Sequence, residues 1–119
     1  MGDRGQVRLV SEGSPDIYFY THWGASDLPE VVADALNRGK GRWNDDEYLN
    51  RIIFSEMIKD DVISETGFGI STSQHGDIWR LVTIHHDTKS VEVNEIGSVT
   101  IYNVWSFDSF IKEFASVTV

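Results

Sequence analysis

The sequence predicts an α+β domain: an antiparallel sheet of about five to six strands, two helices inserted after the second strand, and a C-terminal helix. Three observations carry this. Apolar residues repeat at three and four positions in three segments and at two positions in the others. The resulting order, β-β-α-α-β-β-β-β-α, lacks the strict alternation of a doubly wound nucleotide fold. The 119 residues are 40% hydrophobic and 12% aromatic, enough for one core in a single domain spanning 1–119.

Val7 to Val10 reads as a short edge strand, closed by the turn "SEGSPD", where Pro15 excludes a helix. Ile17 to Trp23 is a strand by its aromatic and β-branched content. Alternation puts Tyr18, Tyr20 and His22 on one face, and Ile17, Phe19, Thr21 and Trp23 on the other. Gly24 then lets the chain turn sharply.

The first helix runs from Leu28 to Arg38, with Asp27 and Glu30 at capping-box spacing and Pro29 in the first turn. Leu28, Val31, Val32, Ala35 and Leu36 form its apolar face, and Gly39 fits the stop. The second helix follows Asn44 as cap, with Glu47 three residues later. Asp45, Asp46 and Glu47 suit the positive end of its dipole. Trp43 is placed to staple onto Tyr48, and Leu49, Ile52, Ile53 and Met57 face inward.

Beyond this helix the period changes to two. "TGFGIST" is a strand with Phe68 and Ile70 on one face, and "SQHGD" is a turn. Ile78 to His85 and Ser90 to Asn94 are hairpin arms around "HDTK". Val99 to Trp105 is the last strand. Ser106 caps a final helix carrying Phe107, Phe110, Ile111 and Phe114 on one face, with Trp105 and Phe110 as a second staple.

Nineteen acidic residues face ten basic ones, a formal net charge of −9. Phosphate binding requires the opposite balance, so direct binding to nucleic acid is disfavoured. No apolar run is long enough to span a bilayer, and no basic, apolar leader precedes the first strand. Gln6 stands where a myristoylation motif requires Ser or Thr. With no cysteine there is no thiol nucleophile and no cysteine-based metal site. A cytoplasmic protein without cofactor or membrane partner is expected.

Metal-binding signals are weak: His85 and His86 are adjacent on a strand and point apart, and His75 stands in a turn. "GFGIS" lacks the third glycine of a dinucleotide fingerprint, and no helix follows it. The basic stretch "RGKGRW" could hold a phosphate or carboxylate, or be a solvated loop between helices.

Glu56 is the clearest anomaly. It lies seven residues after Leu49, four after Ile52 and three after Ile53, inside an apolar face. A carboxylate there must be paired, hydrogen-bonded or protonated. It is a bridge to a Tyr, His or backbone group in the core, a residue at the rim of a cleft, or a general base acting with His22.

"YTHWG…LPE", "RWNDDEYLNRIIFSEMI" and "TGFGIS" together resemble a family of small acidic proteins of unknown function found in microbial and viral genomes. The similarity runs from about Tyr18 to about Val93. The resemblance implies one intact small domain in an intracellular setting and carries over no reaction.

The expected function is therefore non-enzymatic binding to a protein with a basic surface. Carboxylates spaced across helix and sheet could imitate phosphates, as in anti-defence inhibitors such as anti-CRISPR proteins. Asp45, Asp46, Glu47, Asp60, Asp61 and Glu65, flanking both ends of the central helix, are the contact candidates. Two alternatives stand beside this: a small enzyme or ligand-binding domain with a cleft of Tyr20, His22, Trp43 and Glu56, and a structural subunit assembling through sheet edges.

Overall fold

A computed structural model of the chain describes residues 2–97 and 103–116. Its strands are β1 (Gly5–Val10), β2 (Ile17–Thr21), β3 (Phe68–Ser71), β4 (Arg80–His85), β5 (Ser90–Glu95) and β6 (Asn103–Ser106). Its helices are α1 (Leu28–Arg38), α2 (Asp46–Ile58) and α3 (Phe107–Phe114). This is an α+β fold with a six-stranded sheet in the order β3-β2-β1-β4-β5-β6. The sequence expectation of a last strand from Val99 falls partly on residues 98–102, outside the described residues.

The sheet is mostly antiparallel, with one parallel pair, β1 with β4. This corrects the reading of β1 as an edge strand. Val7 stands opposite Phe19 of β2 on one side and Val82 of β4 on the other. The strand also begins earlier, at Gly5, and its Gln6 is fully buried. Its side-chain amide donates to the Ser73 carbonyl at 3.2 Å and accepts from the His75 backbone N–H at 2.8 Å. The β3–β4 connection thus covers the strand where a helix does not. Gly5 is equally constrained, since a Cβ there would meet the Ala25 Cβ at 2.8 Å.

All three helices pack on one face of the sheet. Val7, Leu9, Phe19, Val82, Ile84 and Val91 from the strands meet Val32 and Leu36 of α1, Leu49 and Ile53 of α2, and Phe107 and Phe110 of α3. Phe19 of β2 lies 4.8 Å from Phe54 of α2, centroid to centroid. The other face carries the alternate residues, among them Arg8, Tyr18 and Tyr20.

The helix starts differ from the sequence reading in two places. A 3-10 turn over Ala25–Asp27 runs straight into α1, so Asp27 already has helical backbone angles and makes no cap hydrogen bond. The Asp3 carboxylate instead accepts the Ser26 N–H at 2.9 Å. In α2 the cap is Asp45, which accepts the Tyr48 N–H, rather than Asn44. Moving the cap by one residue dissolves the Trp43–Tyr48 staple, because a staple needs the residue immediately before the cap. Tyr48 is left 54% exposed. Trp43 turns to α3 instead, edge-on to Phe107 at 5.2 Å, while its indole N–H donates to the Leu36 carbonyl at 2.9 Å. The C-terminal helix follows its prediction: Ser106 caps it by accepting the Ser109 N–H, and Trp105 packs on Phe110 at 5.5 Å.

Trp43 therefore joins the α1–α2 connection to both α1 and α3. Trp43→Ala should destabilise the fold by about 3 kcal/mol, and Trp43→Phe by less, because only the hydrogen bond and part of the packing are lost. Urea denaturation checks this; an unchanged midpoint for the alanine variant would contradict it.

Candidate functional site

Helix α2 brings together most of the chemistry singled out in the sequence. Only Leu49, Ile53 and Glu56 along it are buried. Its remaining surface is half-buried or exposed, and its two ends carry the acidic clusters.

Glu56 is buried, as its place in the apolar face requires, but its partners are not Tyr or His. One carboxylate oxygen accepts from Arg38 Nε at 3.1 Å and the other from Lys59 Nζ at 2.8 Å. The bond to Glu56, and then its negative charge, raise the Lys59 pKa above the ordinary value. Arg38 also donates to the Ile52 carbonyl at 3.1 Å and to Ser55 Oγ at 2.9 Å. Both cationic heads reach solvent, so a carboxylate beneath them is neutralised without a fully buried pair. The arrangement locks the C-terminal end of α1 to α2. Lys59 three residues on, and Arg38 in the last turn of the preceding helix, were the available sequence signals.

No hydrogen bond, ion pair or ring contact joins His22 to Glu56 among the described residues. His22 Nδ1 accepts a long hydrogen bond of 3.5 Å from Arg4 Nε, and its ring meets Trp23 edge-on at 4.6 Å. Tyr20 pairs with His75 at 4.6 Å and donates to Asp77 at 3.4 Å. Burial and then the Asp77 carboxylate raise the phenol pKa. Trp43 belongs to the core contact described above. Tyr20 and His22 thus share one network, because Arg4 also pairs with Asp77 at 3.5 Å, while Trp43 and Glu56 make their contacts elsewhere.

The six acidic candidates divide in the same way. Asp45 is the helix cap. Asp46 accepts the Ser11 hydroxyl at 2.6 Å and faces the buried His86. Glu47 is exposed at the first turn of α2. Asp60, Asp61 and Glu65 are exposed and form no ion pair among the described residues. Between them stand Val62, 63% exposed, and Ile63, 98% exposed, which the sequence reading did not single out. A run of two apolar residues bounded by acids, with no periodic neighbours, was the signal. The segment ends at Gly67, whose φ of +99° favours glycine. The Trp23 ring lies over it, so that a Cβ would come within 2.6 Å. Trp23 is itself 57% exposed.

His86 was set aside with the metal question and proves to be a buried junction. His85 turns to Glu92 at 2.9 Å, while His86 Nε2 meets Asn50 Oδ1 at 2.6 Å. The His86 Nδ1 atom is 3.5 Å from Asp46 Oδ1 but has no hydrogen-bond partner. Burial lowers the His86 pKa below the ordinary 6.5, against the upward pull of Asp46.

No family model, curated protein or solved structure matches the chain. Among the described residues, no group of three or more His, Cys, Asp or Glu side chains is placed to hold a metal ion. No helix among them is long and apolar enough to cross a membrane.

The His86 environment gives stability a pH dependence with a definite sign. Its folded pKa is depressed, so below 6.5 the unfolded chain takes up a proton that the native state resists. Stability should fall from pH 7 towards pH 5, with a contribution from this group of at most about 1.4 kcal/mol per pH unit. His86→Gln should flatten that slope relative to the native protein in urea titrations at each pH. Identical slopes would contradict the assignment.

Proposed function

We propose that the chain is a non-enzymatic acidic binding protein whose partner carries a basic surface, and that residues 59–65 are the docking segment. The observation that carries this is the almost complete exposure of Ile63 beside Val62, framed by Asp60, Asp61 and Glu65. Covering a side chain of this size contributes about 1.5–3 kcal/mol, available to a complex and unused in the free chain. The surrounding carboxylates select a cationic rim on the partner and steer its approach.

The partner class with such a cation density is a nucleic-acid-binding protein, which would make the chain a nucleic-acid-mimicking inhibitor of the anti-CRISPR type. Helix α2 supports this by holding acidic groups at both ends, roughly 20 Å apart from its length at 1.5 Å per residue. Asp45 and Asp46 serve the fold as well as the field, so Glu47, Asp60, Asp61 and Glu65 are the freer contacts. Glu56 is already paired with Arg38 and Lys59, which supports a structural role for this carboxylate over that of a general base.

The test is binding kinetics with the partner recovered by affinity capture from the native host. Association should slow as salt rises. Asp60→Lys with Asp61→Lys should slow association, and Ile63→Ser should speed dissociation about tenfold. Charge should thus act on the on-rate and the apolar contact on the off-rate. A salt-independent on-rate with both variants unchanged would rule out this segment as the interface.

A further inference from the structure

Of the ten lysines and arginines, Arg4, Arg8, Arg38, Lys59 and Arg80 have a carboxylate partner among the described residues. Arg42 and Arg51 do not, despite the large excess of acids. Neither guanidinium forms a hydrogen bond or ion pair among the described residues. Glu47 stands four residues before Arg51 on α2, the favourable spacing for a helix ion pair, yet makes none.

The two arginines converge. A depression of about 360 Å³ is lined by Arg42, Tyr48, Arg51 and Ile52. Tyr48, Arg51 and Ile52 share one face of α2 through their spacing of three and four residues. Arg42 ends the 3-10 turn Lys40–Arg42 that precedes the helix, and its guanidinium carbon sits 4.9 Å from the Tyr48 ring centroid. The shift of the helix cap to Asp45 frees Tyr48 for this role, because the ring is no longer held by Trp43. The basic stretch "RGKGRW" therefore divides its work: Arg38 clamps Glu56, Trp43 enters the core, and Arg42 faces this depression.

We propose that this depression is a binding site for a phosphate monoester carried on a planar ring. Two guanidiniums match the near-dianionic charge of a monoester at neutral pH and offer planar donor forks to its oxygens. The exposed part of the Tyr48 ring supplies a stacking surface, and Ile52 an apolar contact for the ring edge. The volume lies near the lower end of small-molecule sites, which fits a ligand of one ring and one phosphate rather than a longer polymer. This site is separate from the 59–65 segment, and its occupancy neither requires nor excludes the proposed protein partner.

The test is a titration of the isotopically labelled full chain, followed by the Arg side-chain Nε–H signals and backbone amides. Phenyl phosphate, benzoate and inorganic phosphate are the probes. Phenyl phosphate should shift the Arg42, Tyr48 and Arg51 signals saturably. Benzoate and inorganic phosphate should each bind at least about tenfold more weakly, lacking the second charge or the ring. Arg51→Gln and, separately, Arg42→Gln should weaken phenyl phosphate by a similar factor while leaving the rest of the spectrum unchanged. Absence of saturable shifts at the two arginines, or unchanged affinity in both variants, would overturn the site. Equal binding of benzoate would overturn the phosphate assignment, and equal binding of inorganic phosphate the role of the ring.

Discussion

The structure depends on the burial of α1. Leu28, Val32, Ala33, Ala35 and Leu36 are all essentially inaccessible to water, and the helix packs against both α2 and α3. Its two buried alanines allow neighbours to approach closely. An alternating sheet with helices on one side has one apolar layer to cover, and α1 holds the middle of that cover. The strands then keep their polar alternates on the other face. With α1 central, α2 and α3 lie to either side of it, and α2 needs only a narrow buried stripe.

That narrow stripe accounts for much of the chain's surface chemistry. An outer helix with three buried positions has room for charges on the rest of its circumference. The one charge placed inward, Glu56, is met by Arg38 from α1 and by Lys59 at the C-cap of α2. Removing only one member of such a set leaves its partner to solvent or to an unmet hydrogen bond, so the set acts as a positional lock more than as a large source of stability. With α2 held at that end, residues 59–65 leave it in a fixed direction, carrying Ile63 into solvent. The anchored helix and the apolar tip are thus consequences of one packing arrangement.

The element order and the faces of α1 and α3 were legible in the sequence because each follows a local period over several turns. The parallel β1–β4 pair was not, because strand neighbours far apart in sequence leave no local trace. The burial of Gln6 was hidden too, since it rests on bonds to the β3–β4 connection, 67 and 69 residues away in sequence. The cap of α2 was misplaced because Asn44 and Asp45 are both good caps, and the choice is made by how the preceding 3-10 turn delivers the chain. For the site, burial of Glu56 followed from spacing alone, whereas its partners required the crossing of α1 and α2. His22 and Glu56 were both unusual locally, but nothing in their spacing could say that one would meet Arg4 and Trp23 and the other Arg38 and Lys59. Exposure of Val62 and Ile63 was equally hidden, since two apolar residues in a loop can as well be tucked under it.

The central claim is that a firmly packed α1–α2 pair presents residues 59–65 as the contact surface. Amide chemical-shift mapping of the labelled chain with its captured partner tests this most directly. The account predicts the largest changes from Lys59 to Gly67, with smaller ones at Glu47 and Trp23. Changes centred instead on Arg8, Tyr18, Thr83 and Glu92, across the sheet face without helices, would contradict it.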